Sequence, residues 1–284
     1  MKILLYLIAL LFVCTTFNSC KRDAPLYEVN NLNGNVISAF GHGGMGVQFK
    51  FPINSYESIE PCLRIGADGT EMDIQMTADS ILVAYHNSDL NESTLCSGTI
   101  NNLLWSQMWG CHYASPFSST IKLKSVPELF SEIENKNDFT FTFDCKLYNN
   151  STNQTAYKNQ FANAIINTID AYNIDNNKLF IESTDSTFLR ILQTKRNTLK
   201  LFYYSNSFEQ ALNVAKIMDL YGIIIEDDFI TKEQVTLAHE KGIRITLFNV
   251  KTKDENLSAI LKSPDFIQSD DIIYLLKVFG KYKK

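Results

Sequence analysis

The chain has 284 residues, a net charge of −5 and a sequence pI near 5.4. This mild acidity argues against a nucleic-acid backbone as the main partner, because proteins that bind one carry a basic face. Hydrophobic residues at 45% and charged residues at 20% describe an ordinary globular protein with a sizeable core, and the length suits either one α/β barrel or two smaller domains.

The first segment has the pattern of a bacterial export signal. Lys2 precedes an apolar run, Ile3 to Cys14, that is too short to cross a bilayer. The run leads to Phe17-Asn18-Ser19-Cys20, which resembles a lipoprotein signal whose cysteine is lipidated and becomes the mature N-terminus. An ordinary secreted protein and an uncleaved anchor are the alternatives.

These features predict a signal peptide over residues 1–19 and a polar, Asn-rich tether over residues 20–35. Lipidation of Cys20 would hold the protein in the bacterial cell envelope, on the periplasmic or surface face of the outer membrane. We expect this anchor to be its sole link to the membrane, because no later segment of the sequence is apolar enough to span a bilayer.

The folded domain is predicted to cover residues 36–284. Its first apolar run ends in the glycine-rich turn Gly41-His42-Gly43-Gly44. Helical spacing follows over residues 54–65, and two strand-like runs come next, at 69–75 and 81–85.

In the C-terminal half, strand-like and amphipathic segments alternate with starts about 20 residues apart, which is typical of βα units around a parallel sheet. The sequence therefore predicts a (β/α)₈ barrel with strands at 36–41, 69–75, 139–145, 179–183, 199–204, 222–226, 243–249 and 266–269. The strand at 81–85 is an addition to the barrel. An aromatic-rich insertion at about 88–125 is predicted to form an ordered lid or a substrate-facing subdomain.

Beyond the signal region the sequence has four cysteines, and their spacing lacks the pattern of a zinc site: Cys62, Cys96, Cys111 and Cys145. In an oxidising compartment, Cys96 and Cys111 are candidates for a disulfide across one loop. Free buried thiols are the alternative.

Acidic side chains mark the predicted ends of the second and third barrel strands. Glu71 and Asp73 are two apart on one strand and therefore point to the same side. In the third strand, the phenylalanines are expected to face outward against helices, so Asp144 and Lys146 point into the mouth. Three carboxylates would form a site of hard oxygen ligands for Ca²⁺ or Mg²⁺.

The remaining candidates surround this cluster. Lys146 is predicted to bind an anionic oxygen, and Glu182, at the end of the fourth strand, is a candidate for a substrate contact. His42 and His86 flank the acids in the sequence, where they can supply a general base and a general acid. A metal, a lysine and two histidines are suited to cleaving a phosphate diester, so we expect a small-molecule phosphodiester as the partner.

The order of these motifs resembles the glycerophosphodiester phosphodiesterase family. That family has a His-Arg-Gly turn, a Pro-Glu-Asn-Thr helix start, a Gly-Ala-Asp…Glu-x-Asp strand and a following His-Asp. The corresponding segments here are Gly41–Gly44, Pro52–Ser55, Gly66–Thr77 and Val83–Asn87. The resemblance extends over residues 36–276.

Membership would imply a (β/α)₈ barrel with an inserted subdomain and metal-assisted hydrolysis of glycerophosphodiesters to an alcohol and glycerol 3-phosphate. By position, His42 and His86 would be the base and acid, and Lys146 would bind phosphate. The metal ligands would be Glu71, Asp73 and Asp144.

The chain departs from the family pattern at three positions. Gly43 replaces the arginine after the first histidine, Ile53 replaces a glutamate, and Asn87 replaces an aspartate. A bidentate phosphate contact is therefore missing, and Lys50 is a candidate substitute for it. Two alternatives follow: a related lysophospholipase D-like phosphodiesterase, and a barrel that binds a metal or another ligand without catalysis.

Overall fold

The computed structural model describes residues 27–47, 50–114 and 120–284. The predicted signal peptide and the lipidation site at Cys20 lie outside the described residues. Within them, no helix combines the length and the apolar character needed to cross a membrane.

The core of the molecule is a closed barrel of parallel strands. Its first strand is hydrogen-bonded in parallel to both the second and the last, which closes the ring. The barrel strands are β1 (Ser38–Gly41), β2 (Gly69–Met76), β4 (Thr140–Cys145), β5 (Leu179–Ser183), β6 (Lys200–Tyr204), β7 (Gly222–Glu226), β8 (Arg244–Val250) and β9 (Phe266–Ser269). The remaining strand, β3 (Leu82–Ala84), pairs antiparallel with the end of β2.

This topology confirms the predicted (β/α)₈ barrel. The predicted strand starts differ most at β1, which begins at Ser38 rather than at 36. Helices connect successive strands and pack around the barrel. Their bounds are α1 (Tyr56–Arg64), α2 (Trp105–Met108), α3 (Val126–Glu132), α4 (Gln154–Ala171), α5 (Ser186–Lys195), α6 (Phe208–Met218), α7 (Lys232–Glu240), α8 (Lys253–Leu261) and α9 (Ile272–Val278).

Local sequence explains where these helices begin. The residue before α1 is Ser55, whose side chain accepts a hydrogen bond from Ser58 N, and Ser207 does the same before α6 with Gln210 N. Such caps satisfy backbone N–H groups that have no partner inside the helix. They fix the loops between strand ends and helix starts, which is where a barrel of this type places its functional groups.

Two apolar layers pack against the barrel wall, one on its outside and one on its inside. On the outside, Phe141 and Phe143 of β4 pack on Phe130 of α3, with ring centroids 5.0 and 6.1 Å apart. The aromatic face of β4 is thus outward, as predicted. Inside, a smaller cluster fills the lower part of the barrel: Phe40, Phe180, Phe202, Ile224 and Phe266. The acidic side chains of the predicted site lie above this cluster, at the C-terminal ends of the strands.

The insertion has a small core of its own. Leu90, Ile100, Met108 and Tyr113 pack with the buried residues Val83 and Tyr85 around β3. A disulfide joins Cys96 to Cys111 within it, whereas Cys62 and Cys145 are free and buried. The described part of the insertion is therefore attached beside the barrel mouth, because β3 follows directly from β2.

Part of the predicted tether is docked beneath the barrel. Asn31 Nδ2 donates to Pro264 O at 2.7 Å, and Leu32 N donates to Asp265 Oδ1 at 2.8 Å. Asp265 is fully buried and also accepts from His239 Nε2 at 2.8 Å. Pro264 and Asp265 immediately precede β9. Residues 27–36 therefore lie at the end of the barrel where the strands begin, opposite the C-terminal ends of the strands.

Candidate active site

Three carboxylates converge at the upper end of the barrel. One oxygen from each of Glu71, Asp73 and Asp144 lies within 4.8 Å of the others. The fold produces this cluster because Glu71 and Asp73 share one face of β2 and because Asp73 pairs with Asp144 across the sheet. Oxygen ligands of one Ca²⁺ ion, each about 2.4 Å from it, are separated by no more than about 5 Å. The described residues therefore fit the predicted divalent cation.

Lys146 lies against this cluster. Its ammonium is 3.0 Å from Asp73 Oδ1 and 2.6 Å from Asp144 Oδ2. Burial disfavours the ammonium charge, but Asp73 and Asp144 outweigh that effect and raise the pKa of Lys146 above its ordinary value. Lys146 therefore carries a positive charge that attracts two of the three candidate ligands, Asp73 and Asp144.

The shared environment shifts the pKa values of Glu71 and Asp73 in opposite directions. Burial, with the nearby charge of Asp73, raises the pKa of Glu71 to about 8. Burial also opposes ionisation of Asp73, but the charge of Lys146 and a hydrogen bond from Asn54 hold its pKa below the ordinary value. Asn54 makes two hydrogen bonds with Asp73. Its Nδ2 donates to Asp73 Oδ2 at 2.7 Å, and its Oδ1 accepts from Asp73 N at 2.9 Å.

His42 is held by an aspartate from the other end of the chain. Its Nδ1 lies 2.8 Å from Asp270 Oδ1, and its Nε2 lies 3.9 Å from Glu71 Oε2. Burial lowers the pKa of His42, but the hydrogen bond with Asp270 and the surrounding acids outweigh burial and raise this pKa to about 9. Asp270 thereby fixes the ring so that Nε2 is directed at the carboxylate cluster.

His86 follows β3 and approaches the mouth from the side of the insertion. Its Nδ1 lies 2.8 Å from Asn87 Oδ1, and Asn87 Nδ2 donates to Ser93 Oγ at 3.0 Å. Asn87 thus orients the ring by a hydrogen bond alone, without the negative charge of an aspartate. With the proton on Nδ1, the Nε2 atom is free to accept a proton from a bound molecule.

All the predicted catalytic, metal and phosphate-binding side chains line one cavity of about 240 Å³. Glu182 is among them, buried, and accepts a hydrogen bond from Gln268 Nε2 at 2.8 Å. Its burial raises its pKa well above the ordinary value. The cavity has an aromatic side as well, formed by Tyr204 and Phe248, whose ring centroids are 5.1 Å apart.

Sequence reasoning did not assign a site role to Asp270, Asn54 or Gln268. Each contacts a predicted site residue through a hydrogen bond between segments that are distant in the sequence. Asp270 does carry a usable signal, because it directly follows the last barrel strand and that strand is adjacent to β1. Asn54 reads as a helix-start residue, and its contact with Asp73 depends on tertiary packing.

Gly43 occupies the position at which the family pattern has an arginine. Gly43 has φ +57°, and its N–H donates to Glu71 Oε2 at 2.9 Å. A Cβ at this position would lie 2.5 Å from Ile53 Cβ, closer than two carbons can approach. Lys50, the candidate substitute, is exposed with its ammonium 4.8 Å from the ring centre of Phe51, and it is not among the residues that line the cavity.

Buried oxygen ligands beside two histidines are suited to hydrolysis of a phosphate ester, and their position at the strand ends is where barrel enzymes carry their active sites. Fold and site together therefore define a barrel hydrolase. Residues 42–275 match the model of the glycerophosphoryl diester phosphodiesterase family. The chain belongs to this family and is a phosphoric diester hydrolase.

Individual relatives agree with this placement. A glycerophosphodiester phosphodiesterase of Caldanaerobacter subterraneus subsp. tengcongensis is 21% identical over 81% of this chain and 93% of its own length. Glycerophosphodiester phosphodiesterase 1 of Bos taurus is 22% identical over 88% of each chain.

Solved structures share the fold at low identity. An Oleispira antarctica phosphodiesterase in complex with the product sn-glycerol-3-phosphate has a TM-score of 0.76 at 15% identity, over 87% of this chain and 98% of the other. A Silicibacter pomeroyi structure described as a glycerophosphoryl diester phosphodiesterase has a TM-score of 0.77 at 17% identity, over 89% and 96%.

Proposed function

We propose that this protein hydrolyses glycerophosphodiesters to an alcohol and glycerol 3-phosphate with the help of a divalent cation. The observation that carries the proposal is the convergence of Glu71, Asp73 and Asp144 within 4.8 Å, in one cavity with His42 and His86. The names of the relatives and the product bound in the Oleispira antarctica structure support the substrate class.

The cation would be held by Glu71, Asp73 and Asp144, whose hard oxygens suit Ca²⁺ or Mg²⁺. When bound, it would neutralise negative charge on the phosphate. Lys146 is next to the same carboxylates, so its ammonium can contact a non-bridging phosphate oxygen that lies beside them. Glu182 and Gln268, hydrogen-bonded to each other at 2.8 Å, offer polar contacts for glycerol hydroxyls.

His42 and His86 would move the protons. One removes a proton from the glycerol hydroxyl that attacks phosphorus, and the other gives a proton to the oxygen of the departing alcohol. Water then opens the resulting cyclic phosphate to glycerol 3-phosphate. Their two settings differ, because Asp270 gives His42 a charged partner, whereas Asn87 gives His86 a neutral one. Such different settings suit a pair of groups that must divide the roles of acid and base.

A direct assay tests this proposal. The purified protein is incubated with glycerophosphocholine or lysophosphatidylcholine in Ca²⁺, Mg²⁺ or EDTA, and glycerol 3-phosphate and choline are measured. We expect glycerol 3-phosphate from the first substrate, abolished by EDTA. Choline release from the lysolipid alone would favour the lysophospholipase D-like alternative, and no release from either with any cation would refute both.

The assignment of the histidines has its own control. His42→Ala and His86→Ala should each lower turnover by about 10²–10⁴-fold. His239→Ala is a matched variant, because His239 also contacts an aspartate at 2.8 Å but lies at the opposite end of the barrel. Unchanged turnover in either of the first two variants would contradict the assignment.

We further propose that the protein is exported and anchored through a lipid on Cys20. The Cys96–Cys111 disulfide supports an oxidising compartment, since disulfides persist there and are rare in the cytosol. Metabolic labelling with a fatty acid, followed by membrane fractionation, tests the anchor. Cys20→Ser should remove the label and release the protein from the membrane fraction, and a labelled or membrane-bound variant would contradict the proposal.

A further inference from the structure

Hydrogen bonds, rather than packing, orient His86. Its side chain is exposed at the edge of the mouth, whereas the preceding residue, Tyr85, is buried. Gln75 fixes the backbone on both sides of the histidine, because its Nε2 donates to Tyr85 O and to Asn87 O at 2.7 Å each. The ring is then oriented by its hydrogen bond with Asn87 Oδ1 at 2.8 Å. The direction of Nε2 therefore depends on the side chain of Asn87.

The residue at position 87 also decides which nitrogen of a neutral His86 carries the proton. An aspartate, as in the family pattern, can only accept a hydrogen bond, so it favours a proton on Nδ1. An asparagine side chain has an oxygen and an NH₂ group of nearly the same shape, so its amide can turn over. If Nδ2 faced the ring, it would donate to Nδ1 and the imidazole proton would move to Nε2. A site with Asn87 therefore needs another group that fixes the direction of the amide.

The groups around the Asn87 amide form a continuous set of hydrogen bonds. Asn87 Nδ2 donates to Ser93 Oγ at 3.0 Å. Burial raises the pKa of Tyr85, and hydrogen bonds from the side chains of Ser93 and Asn87 to its hydroxyl oppose that rise. The Tyr85 hydroxyl donates to the backbone oxygens of Asp89 and Leu90, each at 3.2 Å. The set therefore ends at two carbonyl oxygens.

These hydrogen bonds can run in one direction only. A carbonyl oxygen has no hydrogen to donate, so the Tyr85 hydroxyl must donate to it and can accept from the Ser93 hydroxyl. Since its own hydrogen is used in this way, Ser93 Oγ accepts from Asn87, which requires Nδ2 to face Ser93. Asn87 Oδ1 is then left to face His86 and accepts from Nδ1.

The insertion holds Ser93 in place. Ser93 O accepts a hydrogen bond from Ala114 N at 2.9 Å. The Cys96–Cys111 disulfide joins the same two segments of the insertion. The serine hydroxyl is therefore presented to the catalytic loop by a cross-linked unit.

We propose that Ser93 and Tyr85 are positioning residues for His86. By fixing the direction of the Asn87 amide, they keep the ring in the tautomer with its proton on Nδ1 and with Nε2 free to accept a proton. This role rests on the proposed function, in which His86 transfers a proton. It gives the insertion a part in catalysis, and it accounts for the replacement of the family's aspartate by asparagine.

The role of Ser93 is tested in two backgrounds. In the parent, Ser93→Ala leaves the amide free to turn, so kcat for glycerol 3-phosphate release from glycerophosphocholine should fall by about three- to tenfold, the effect of one hydrogen bond. KM should not change. In Asn87→Asp both carboxylate oxygens accept, so Ser93→Ala should have no effect on kcat there. Tyr85→Phe should show the same dependence on position 87. Ser106→Ala is the control, because Ser106 is an exposed serine of α2 in the same insertion.

NMR of the imidazole nitrogens provides a measurement that does not require turnover. In cation-free protein at alkaline pH, the ¹⁵N chemical shifts of His86 distinguish a proton on Nδ1 from a proton on Nε2. We expect the first tautomer in the parent and in Asn87→Asp, and a mixture of the two in Ser93→Ala. If Ser93 only stabilised the fold, its loss would lower kcat equally in both backgrounds and leave the tautomer unchanged.

Either of those two results would overturn the proposal: an equal loss of kcat with asparagine or aspartate at position 87, or a tautomer that does not respond to Ser93→Ala. Failure of the proposed function is a separate outcome. If no diester is hydrolysed with any cation, but the tautomer of His86 changes in Ser93→Ala and not in Ser106→Ala, positioning by Ser93 stands and the catalytic proposal falls.

Discussion

Asp270 holds Nδ1 of His42 at 2.8 Å, although 228 residues separate the two in the sequence. The pair joins the end of β9 to the turn after β1, the two strands whose pairing closes the barrel. The pairing of β1 with β9 therefore closes the barrel and also brings Asp270 to His42.

The first prediction concerns this pair. Asp270→Asn keeps the shape but removes one of the acidic groups that together raise the pKa of His42 to about 9. We expect the pKa of His42, followed by NMR in cation-free protein, to fall toward its ordinary value of 6.5. Turnover should fall by roughly 10–100-fold, with the pH–rate profile displaced to lower pH, since the ring loses its charged partner.

A merely structural role for Asp270 would give a different result. It would lower the unfolding midpoint and turnover together and leave the shape of the pH–rate profile unchanged. Asp271→Asn is the control, because Asp271 is the adjacent cap of α9 and accepts from Tyr274 N, away from His42.

The second prediction concerns pH and cation binding. In cation-free protein the pKa of Glu71 is raised from 4.5 to about 8, so between these values the folded state holds a proton that the unfolded state has released. Stability should therefore fall as pH rises through this range. His42 acts in the same direction from 6.5 to about 9, because the stabilisation from its protonated form is lost as pH rises through its folded pKa.

A divalent cation should displace the proton on Glu71. Below pH 8 we expect proton release on binding and an apparent affinity that rises up to about tenfold per pH unit. Calorimetry in buffers of different ionisation enthalpy measures the proton release, and urea unfolding at pH 5, 7 and 9 measures the stability. Binding without proton release, together with a cation-free stability that does not fall with pH, would contradict this prediction.

The sequence was sufficient for the parts of the site that follow from strand periodicity. Glu71 and Asp73 alternate on one strand, and the alternation in β4 placed Asp144 and Lys146 inside, so four converging side chains followed from local rules. The contacts of Asp270 and Asn54 did not, because each depends on how distant segments pack. The close approach of Gly43 to Ile53 is of the same kind, since it depends on how the loop between β1 and α1 folds back on itself.

The third prediction concerns Lys146, whose ammonium lies between Asp73 and Asp144. Lys146→Met leaves the buried Asp73 and the partly exposed Asp144 without the charge of Lys146, which should destabilise the cation-free protein by about 3 kcal/mol. Ca²⁺ or Mg²⁺ should restore more stability to the variant than to the parent, because the cation then replaces the positive charge that Lys146 provides in the parent. Denaturant unfolding with and without cation measures both effects.

Lys158→Met provides the matched control for Lys146. Lys158 is comparably buried and paired with Asp185, but that pair lies outside the carboxylate cluster. Its loss should lower stability without changing the response to cation. Equal cation responses in the two variants would show that Lys146 does not balance the charge of the ligand cluster.

The fourth prediction concerns orientation at the membrane, and it rests on the proposed lipidation of Cys20. Residues 27–36 are attached under the barrel through Asn31 and Leu32, and the chain from Cys20 to Tyr27 cannot extend more than about 25 Å. The lipid should therefore keep the lower end of the barrel near the bilayer and direct the mouth away from it, toward water-soluble substrates.

Single fluorescent labels at Asn197, in the loop before β6, and at Asn206, in the loop after it, test this orientation in vesicles that contain a lipid-bound quencher. Strong quenching at Asn197 and weak quenching at Asn206 is expected, because the two loops lie at opposite ends of one strand. The reverse order would place the mouth at the membrane and make membrane-embedded diesters accessible to it.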